Sequence, residues 1–570
     1  MAGISAPICV RFANVSHVSE PDILHVAPCH FSTNRAIHEA VTFGFARGVD
    51  KQRLLALVQP ALGPTTFERS AFSADLFLDE LIDSSLRLHV GGKVQQGFPP
   101  FFSELLLSPP RQTADISFRH EIFRELDGDP NRLRAVENAY QSIASFCEAL
   151  CSGESFGARS AGVRRRIDIL IGLRRALDEL LRATGTCASG LSRLAEWVEE
   201  LAEQDGYKHL TSLLDFEEGR TALNAKLQAG YDGTLRRFEV VSVSRTQHPK
   251  FPRSVWGRLV RRVTSLIKGY RFSEEDVMSQ LLDQVFSALE SEVAALLAVM
   301  LELEFYLRGL AFRAKAAQSG LATCLPKVMP ARSQSGISLE QLFNPWLCAE
   351  SATKVVPCDV LLAPGQSNVI VTGPNSGGKT RLLQSLGVVQ LFTQLGLYVP
   401  ARSARVELVD QMYLSLLEHA DPHQKEGRLG VELLRIRQVF EHCGPGALIL
   451  MDELCSGTNP SEGERIFEMV LELLGQLGPN VWISTHFLDF AHRLRENKKE
   501  NVVFLQVQLD GSEHPTYQFV PGVAQTSLAK NTAARLGVTR EELSTLIRRH
   551  RRLDQPASEE ARPASSDLPE

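Results

Sequence analysis

The sequence of 570 residues lacks several features that would place it in a class at once. No apolar run reaches the ~18–20 residues that a membrane span requires, and the most apolar long segment, residues 293–312, is interrupted by Glu302, Glu304 and Arg308. The N-terminus has no charged stretch followed by an apolar one, so no secretion signal is expected. These absences predict a cytoplasmic protein that does not interact with a membrane.

Strong net charge is absent too. A formal charge of −6 provides no general attraction to nucleic acid, so any DNA-binding surface has to be a local patch.

The ten cysteines are scattered and mostly solitary, which is typical of a reducing cytosol. Cys147 and Cys151 lie one helical turn apart, and His25, Cys29 and His30 are close together. Neither group has a second ligand pair at zinc spacing, so buried thiols and ordinary histidines are favoured.

A chain of this length is expected to hold about three or four domains at ~100–200 residues each. Residues 1–110 form a small N-terminal region of unassigned role, with helical periodicity at Ser70–Leu88. Helical patterns dominate residues 111–340, whereas strands alternate with helices over residues 341–550. The polar segment 551–570 contains several prolines and is predicted to be a disordered tail. The sequence therefore predicts an α/β domain preceded by a mostly α-helical region.

The longest helical pattern starts at Ser273, which forms a capping box with Asp276, and continues to about Ala317. A single helix of ~40 residues would be ~60 Å long, more than a small domain needs. Such a helix would serve as a lever between distant parts of the molecule. Two shorter helices with an unmarked break are the alternative.

A basic segment at residues 231–271 interrupts the helical region. Only Asp232 and Glu239 oppose its many lysines and arginines, and aromatic residues are interleaved with them. Clustered basic residues on an acidic protein are the pattern expected for contact with a phosphate backbone. The candidate DNA-binding residues are Lys250, Arg253, Arg258, Arg261 and Arg262. A solvated basic surface, or one that binds an acidic partner, is the alternative.

The most informative stretch is VIVTGPNSGGKTRLL at residues 369–383. A β-branched run predicts a buried strand, followed by a glycine-rich turn and a helix. Glycines let successive backbone N–H groups turn toward phosphate oxygens, and the helix points its positive end at them. The predicted phosphate-binding residues are Gly373, Pro374, Asn375, Ser376, Gly377, Gly378, Lys379 and Thr380. Lys379 is expected to reach the β- and γ-phosphates of ATP, and the Thr380 hydroxyl to ligate Mg²⁺.

Two further predicted strands are followed by acidic or histidine side chains that could act in catalysis. The strand at residues 448–451 ends at Asp452 and Glu453, and the strand at residues 481–484 leads to His486. The carboxyl ends of parallel strands meet at one edge of a sheet, where phosphate sites lie. Asp452 is expected to hold Mg²⁺ directly or through water, and Glu453 to polarise the attacking water. His486 is expected to hydrogen-bond the γ-phosphate and sense its loss.

Together these motifs resemble one family. GPNSGGKT (373–380), MDELCSGTNPSEGE (451–464), STH (484–486) and YVPA (398–401) are similar to the ATPase domain of the MutS family of DNA mismatch-repair proteins. DISFRHEIFREL resembles the start of the family's helical core, and the basic segment falls where the family inserts its DNA clamp. TSLAKNTAARLGVTREEL resembles the helix-turn-helix used in dimerisation.

The resemblance implies a P-loop ATPase domain of the ABC/MutS type, a parallel sheet with helices on both faces, after a helical core and lever arms. It implies a homodimer with composite ATP sites and a channel for mismatched or branched DNA. ATP binding and hydrolysis would open and close the clamp around the DNA. Downstream repair proteins are the further partners that it implies.

The sequence departs from the family pattern in three ways. No N-terminal mismatch-reading domain is recognisable, and the Phe-x-Glu tripeptides at residues 102–104 and 123–125 are interpreted as chance, so the chain is expected to be a short form. The loop at residues 419–434 has no serine or threonine where the family's serine reaches the partner's γ-phosphate. The contact between subunits is therefore expected to use another donor or to be weaker, and hydrolysis to be slow. No nuclease domain follows the ATPase, which disfavours the branch of the family that carries one.

Two other functions are compatible with parts of the sequence. A MutS-like nucleotide switch that acts through protein partners, with little hydrolysis or direct DNA binding, is the main alternative. A transporter-type or chromosome-structure ATPase shares the fold and the phosphate loop. It is disfavoured because no LSGGQ-like segment precedes the acidic strand.

Overall fold

The candidate DNA-binding residues of the basic segment lie outside the part of the chain that the structure describes. The computed structural model describes residues 21–28, 35–60, 69–110, 112–153, 159–217, 222–229, 235–244, 274–349, 355–416, 428–455, 458–497, 502–525 and 538–553. Among the helices in these ranges, none combines the length and the apolar character that a bilayer crossing requires.

The N-terminal region is a set of short helices with one small hairpin. Its elements are α1 (Arg35–Arg47), α2 (Lys51–Ala56), α3 (Arg69–Asp75), α4 (Leu78–Ser84), β1 (Leu88–Val90), β2 (Lys93–Gln95) and α5 (Pro99–Leu107). The helical periodicity of Ser70–Leu88 corresponds to two short helices, α3 and α4, which are separated where Phe77 takes a left-handed backbone conformation (φ 45°). The Phe77 ring contacts Trp346, and the Asp75 carboxylate accepts the Leu416 N–H. Tertiary contacts therefore impose the break between α3 and α4.

The helical region follows. Its elements are α6 (Thr113–Gly128), α7 (Pro130–Cys151), α8 (Arg159–Thr184), α9 (Ser192–Glu203), α10 (Asp205–Glu217), the antiparallel strands β3 (Ala222–Ala229) and β4 (Leu235–Ser244), α11 (Glu274–Ser287) and α12 (Glu290–Gln318). The prevalence of helices here agrees with the helical patterns predicted for residues 111–340. Residues 235–244 of the basic segment form β4, which pairs with β3.

The single helix predicted from residue 273 to 317 is wrong, and the two-helix alternative is confirmed. Leu289 leaves the helical conformation (φ −122°, ψ 12°) and is fully buried. Glu290 and Glu292 then occupy the first turn of α12, where carboxylates favour a new helix N-terminus. Apolar spacing continues through the break, so periodicity alone does not reveal it.

The N-terminal elements pack directly on α12, which is buried along most of its length. The Glu302 carboxylate accepts the Ile23 N–H at 2.9 Å, and the Glu304 carboxylate accepts the Phe98 N–H at 2.9 Å. A buried carboxylate is stable only when it is paired or hydrogen-bonded. The charged residues that interrupt this apolar segment therefore attach the N-terminal region to the helical core.

The third part of the chain contains two sheets. A four-stranded sheet has the order β5 (Lys327–Met329), β9 (Ser403–Glu407), β6 (Ser338–Leu342) and β7 (Cys358–Leu361). The larger sheet has the order β10 (Gln411–Ser415), β11 (Ala447–Met451), β12 (Asn480–Thr485), β8 (Asn368–Thr372), β13 (Val502–Leu509) and β14 (Pro515–Pro521). Its first five strands are parallel and β14 is antiparallel to β13. The three strands predicted from apolar runs are thus neighbours at its centre.

Helices cover both faces of the larger sheet. They are α13 (Lys379–Leu395), α14 (Arg428–His442), α15 (Pro460–Leu477) and α16 (Leu488–Glu496). Val371 and Leu450 belong to the buried cluster that includes Leu386 of α13. Ile370 and Ile449, on the alternate positions, pack into the cluster around α14 to α16. Side chains alternate across a strand, so runs such as VIV and LILM fill both cores. This packing leaves the carboxyl edge of the strands open for the loops described next.

The chain's last described helix is α17 (Arg540–Leu553). A capping box begins it, in which the Glu542 carboxylate and the Thr539 hydroxyl bond each other's backbone N–H groups. The helix continues past residue 551, so the predicted start of the disordered tail is wrong by a few residues. Residues from 554 onward lie outside the described part.

Candidate functional site

The predicted phosphate loop connects β8 to α13 at the carboxyl edge of the larger sheet. Gly373 (φ 144°) and Gly378 (φ 89°) have backbone conformations that favour glycine, and Ser376 (φ 68°) lies between them. A Cβ atom on Gly373 would lie 2.6 Å from Val507 Cγ2, closer than side chains pack. The glycines of the motif are therefore required by the turn itself and by the packing of β13 beneath it.

Lys379, the first residue of α13, folds back over the loop. Its side chain is only 5% exposed, and Nζ donates to the carbonyl oxygens of Gly373 at 3.1 Å and Pro374 at 3.3 Å. Burial lowers the pKa of Lys379, while Glu453 and Asp452 act in the opposite direction by favouring its charged form. The ammonium group is thus held within the loop, where an anion could bind it.

Asp452, just after β11, is hydrogen-bonded through both carboxylate oxygens. The Thr380 hydroxyl donates to Oδ2, and the Ser484 hydroxyl donates to Oδ1. The Asp452 N–H donates to the Ser415 carbonyl at 2.9 Å. Mg²⁺ prefers hard oxygen ligands such as these. The hydroxyl of Thr380 and the carboxylate of Asp452 are in direct contact, so the donor set fits Mg²⁺.

Glu453, the residue after Asp452, has its carboxylate near Lys379 of the phosphate loop. Its backbone is left-handed (φ 51°), a conformation that costs roughly 1–3 kcal/mol for a non-glycine residue. Its N–H donates to Ser484 Oγ at 3.0 Å. Oε1 lies 4.0 Å from Lys379 Nζ, and Oε2 lies 3.9 Å from His486 Nδ1. The fold thus brings the predicted residues of three separate segments into one cluster.

A cavity of about 100 Å³ adjoins this cluster, which leaves room for more than one water molecule. The Arg435 guanidinium donates to Ser415 Oγ at 3.2 Å on its wall. Its lining residues are Tyr413, Ser415, Leu416, Glu432, Arg435, Ile436, Met451, Asp452, Glu453 and Leu454. Water in this cavity would lie beside Asp452 and Glu453.

Sequence reasoning missed the positions of Ser484 and Tyr517 beside the candidate site. Ser484 stands inside the recognised STH motif, but only the pairing of β12 with β11 brings its hydroxyl to Asp452. Tyr517 is 46% exposed on β14, and its ring lies 3.4 Å from the Cβ position of Gly378. An exposed aromatic face beside a phosphate loop can stack on a nucleotide base. No sequence signal marks Tyr517, because only the sheet order brings it near the loop.

The two Phe-x-Glu tripeptides are internal to the fold. Phe102 and Phe123 are almost completely buried, and Glu125 accepts the N–H groups of Ala188 and Ser189. Neither ring is available to insert between DNA bases, in agreement with their interpretation as chance matches. The loop at residues 419–434 is described only from residue 428, so the missing serine is an observation from sequence alone.

Residues 369–548 match the family model of MutS domain V. Endonuclease MutS2 of Latilactobacillus sakei is 29% identical over 225 residues, which are 39% of this chain and 28% of that protein. Endonuclease MutS2 of Leuconostoc mesenteroides is 30% identical over 226 residues (39% and 27%). Endonuclease MutS2 of Pelotomaculum thermopropionicum is 32% identical over 192 residues (33% and 24%). The match thus spans less than a third of the length of these relatives.

The names of these relatives bear on the expectation about the nuclease-bearing branch of the family. The sequence disfavours the nuclease-bearing branch, yet these three relatives are all named as endonucleases, so the comparison does not support that exclusion. The matched range contains the phosphate loop, the acidic pair and His486. Through residues 369–548, the chain is similar to domain V of the MutS family.

Proposed function

We propose that this protein is an ATPase that couples ATP binding and hydrolysis to the clamping of mismatched or branched DNA, as a homodimer. The observation that supports this most strongly is the cluster of Lys379, Thr380, Asp452, Glu453 and His486 at one sheet edge within a MutS domain V. Each of these side chains is of a type that can serve phosphoryl transfer to water, and the fold brings them together from three separate segments.

The proposed chemistry assigns one task to each group. Backbone N–H groups of residues 373–380 and the Lys379 ammonium bind the triphosphate. Thr380 and Asp452 would hold Mg²⁺, which when bound offsets the charge of the phosphate oxygens. Glu453 orients the attacking water and accepts its proton. His486 donates a hydrogen bond to the γ-phosphate and loses that partner after hydrolysis.

A polar link from the nucleotide domain to the helical core supports the proposed coupling. Arg119 of α6 is fully buried, and its Nη1 donates to the Leu395 carbonyl at 2.9 Å. Leu395 is the last residue of α13, the helix that starts at the phosphate loop. The Arg119 Nε donates to the Leu24 carbonyl at 2.8 Å. A movement of α13 on nucleotide binding would therefore displace the core helices that lead to the basic segment.

The proposed dimer and DNA contacts rest on α17 and on the basic segment. Leu543, Leu546 and Ile547 are exposed on one side of α17, at the helical spacing of a contact face. The basic segment supplies Lys250, Arg253, Arg258, Arg261 and Arg262, whose charges would bind DNA through its phosphates. Because the loop at residues 419–434 lacks the family's serine, we propose that hydrolysis is slow.

The test is a gel-shift panel of homoduplex, mismatched, forked and four-way DNA, with and without ATP. We expect at least one non-homoduplex structure to bind more tightly than homoduplex, and ATP to change its affinity. Replacing Arg258, Arg261 and Arg262 together by Ala should lower affinity for all DNA structures. It should also reduce the salt dependence, by about one unit of slope for each phosphate group that the variant no longer binds. Unchanged affinity would show that the basic segment does not bind the DNA.

A matched control for the triple variant uses exposed arginines elsewhere. Arg35, Arg332 and Arg437 have side chains 91%, 61% and 73% exposed, and each belongs to a surface ion pair. Their combined change to Ala removes the same charge without touching the basic segment. If this control weakens DNA binding equally, the effect of the first variant reflects net charge alone.

The alternative function is a nucleotide switch that acts through protein partners. The serine-free loop favours it, because a switch needs little hydrolysis. It predicts that no DNA structure shifts with or without ATP, and that partner capture resists nuclease treatment and depends on ATP.

A further inference from the structure

Ser484 connects the two carboxylates of the candidate site. The residue is fully buried near the end of β12, between β11 and β8 in the sheet. Its hydroxyl donates to Asp452 Oδ1 and accepts the Glu453 N–H at 3.0 Å. One hydroxyl group thus donates a hydrogen bond to the side chain of Asp452 and accepts one from the backbone of Glu453.

The first of these bonds sets the rotation of the Asp452 carboxylate. With Oδ1 bound to Ser484, the second oxygen, Oδ2, faces the Thr380 hydroxyl. That is the side on which the two oxygen donors proposed for Mg²⁺ meet. Without the Ser484 hydroxyl, the bond from Thr380 would remain of the two side-chain bonds described above, and a single bond would leave the carboxylate free to rotate and lose this alignment.

The second bond stabilises the strained backbone of Glu453. A left-handed residue persists only where its surroundings hold it, and the N–H bond to Ser484 is one such restraint. This backbone conformation directs the Glu453 carboxylate toward Lys379 and His486, at 4.0 and 3.9 Å. A relaxed Glu453 would move its carboxylate away from the place where the attacking water is expected.

We propose that Ser484 is a positioning residue for ATP hydrolysis, which keeps the metal-binding Asp452 and the water-orienting Glu453 in fixed relation. This inference rests on the proposed function of the site. Ser484 itself contacts neither water nor phosphate in this assignment. Its effect is therefore expected on the affinity for the divalent cation and on the hydrolysis rate, and not on metal-free nucleotide binding.

The experiment compares the full chain with Ser484→Ala, Ser484→Thr and the control Ser385→Ala. Ser385 is a buried serine of α13 whose hydroxyl donates to the Arg381 carbonyl at 2.7 Å, so its change removes a similar buried hydroxyl outside the acidic pair. The measurements are the affinity for a fluorescent ATP analogue in EDTA, Mn²⁺ affinity by electron paramagnetic resonance with a non-hydrolysable nucleotide, kcat for ATP, and Tm.

We expect Ser484→Ala to bind the analogue in EDTA like the wild type. Its Mn²⁺ affinity and kcat should each fall about 10- to 100-fold, the usual effect of removing a group that orients a metal ligand. Ser484→Thr keeps the hydroxyl and should recover most of both, and Ser385→Ala should match the wild type. If the extra methyl group of Thr lowers Tm, Ser484→Cys, which keeps a weak S–H donor, replaces it and should give intermediate values.

Two outcomes would overturn the proposal. The first is wild-type Mn²⁺ affinity and kcat in Ser484→Ala. The second is a parallel fall of nucleotide affinity, kcat and Tm, which indicates a purely structural role. A wild-type chain that binds no ATP analogue would instead refute the proposed function, and the two failures are therefore distinguishable.

Discussion

A buried ion pair on α12 attaches the N-terminal region to the helical core. Arg308 Nη2 donates to Glu304 Oε1 at 2.5 Å, and the two side chains are only 2% and 3% exposed. Arg308 also donates to the Leu86 carbonyl at 2.9 Å, and Glu304 accepts the Phe98 N–H at 2.9 Å. Both partners thus bind the chain on either side of the β1–β2 hairpin, as well as each other.

Changing Arg308 to Met retains the aliphatic part of the side chain but leaves Glu304 buried without its cation. Loss of one partner of a buried pair costs about 3–5 kcal/mol of unfolding free energy. Combining it with Glu304→Gln removes the isolated charge, so the double variant should be more stable than the sum of the single changes predicts. A coupling energy of about 1–3 kcal/mol is expected for residues in such direct contact.

Urea unfolding measures these free energies, and limited proteolysis reports whether residues 86–98 become accessible. The control is Arg313→Met on the same helix, whose side chain is 41% exposed and pairs with Asp127 at 2.9 Å. A pair of this exposure contributes up to about 1 kcal/mol. If Arg308→Met costs no more than Arg313→Met, or if the cycle is additive, the pair does not attach the N-terminal region.

Three further predictions concern the nucleotide site and the core. Lys379→Ala should abolish binding of ATP, because it removes the cation of the loop; calorimetry with ATP in excess checks this, and retained affinity would contradict it. Glu453→Ala should bind ATP but hydrolyse it far more slowly than the wild type, and a wild-type rate in single-turnover assays would show that another group orients the water. Burial, with Arg124 and Arg119 nearby, lowers the pKa of His120 from 6.5 to about 4. The unfolded chain therefore takes up this proton at a higher pH than the folded protein, and stability falls as the pH drops from about 6.5 toward 4. By pH 5 the loss is about 2 kcal/mol; His120→Gln should lack this part of the pH dependence of urea unfolding, and an unchanged pH profile would contradict the assignment.

Local sequence patterns were sufficient for the individual elements of the nucleotide site. Gly373 and Gly378 are required by backbone conformations that other residues rarely adopt, so their spacing around Lys379 indicates the loop directly. Apolar runs predict the central strands, and the strand ends then locate Asp452 and His486. All of these inferences depend on interactions within a few residues, which is why a single sequence suffices for them.

Features that depend on contacts between distant segments became visible only in the folded chain. Leu289 leaves the helical conformation although the apolar spacing continues through it. Ser484 and Tyr517 reach the site through sheet pairing, and Glu304 holds a segment that precedes it by some two hundred residues in the chain. A local sequence pattern does not indicate which distant group will hydrogen-bond to a buried hydroxyl or carboxylate. These partners are therefore defined only when the whole chain has packed.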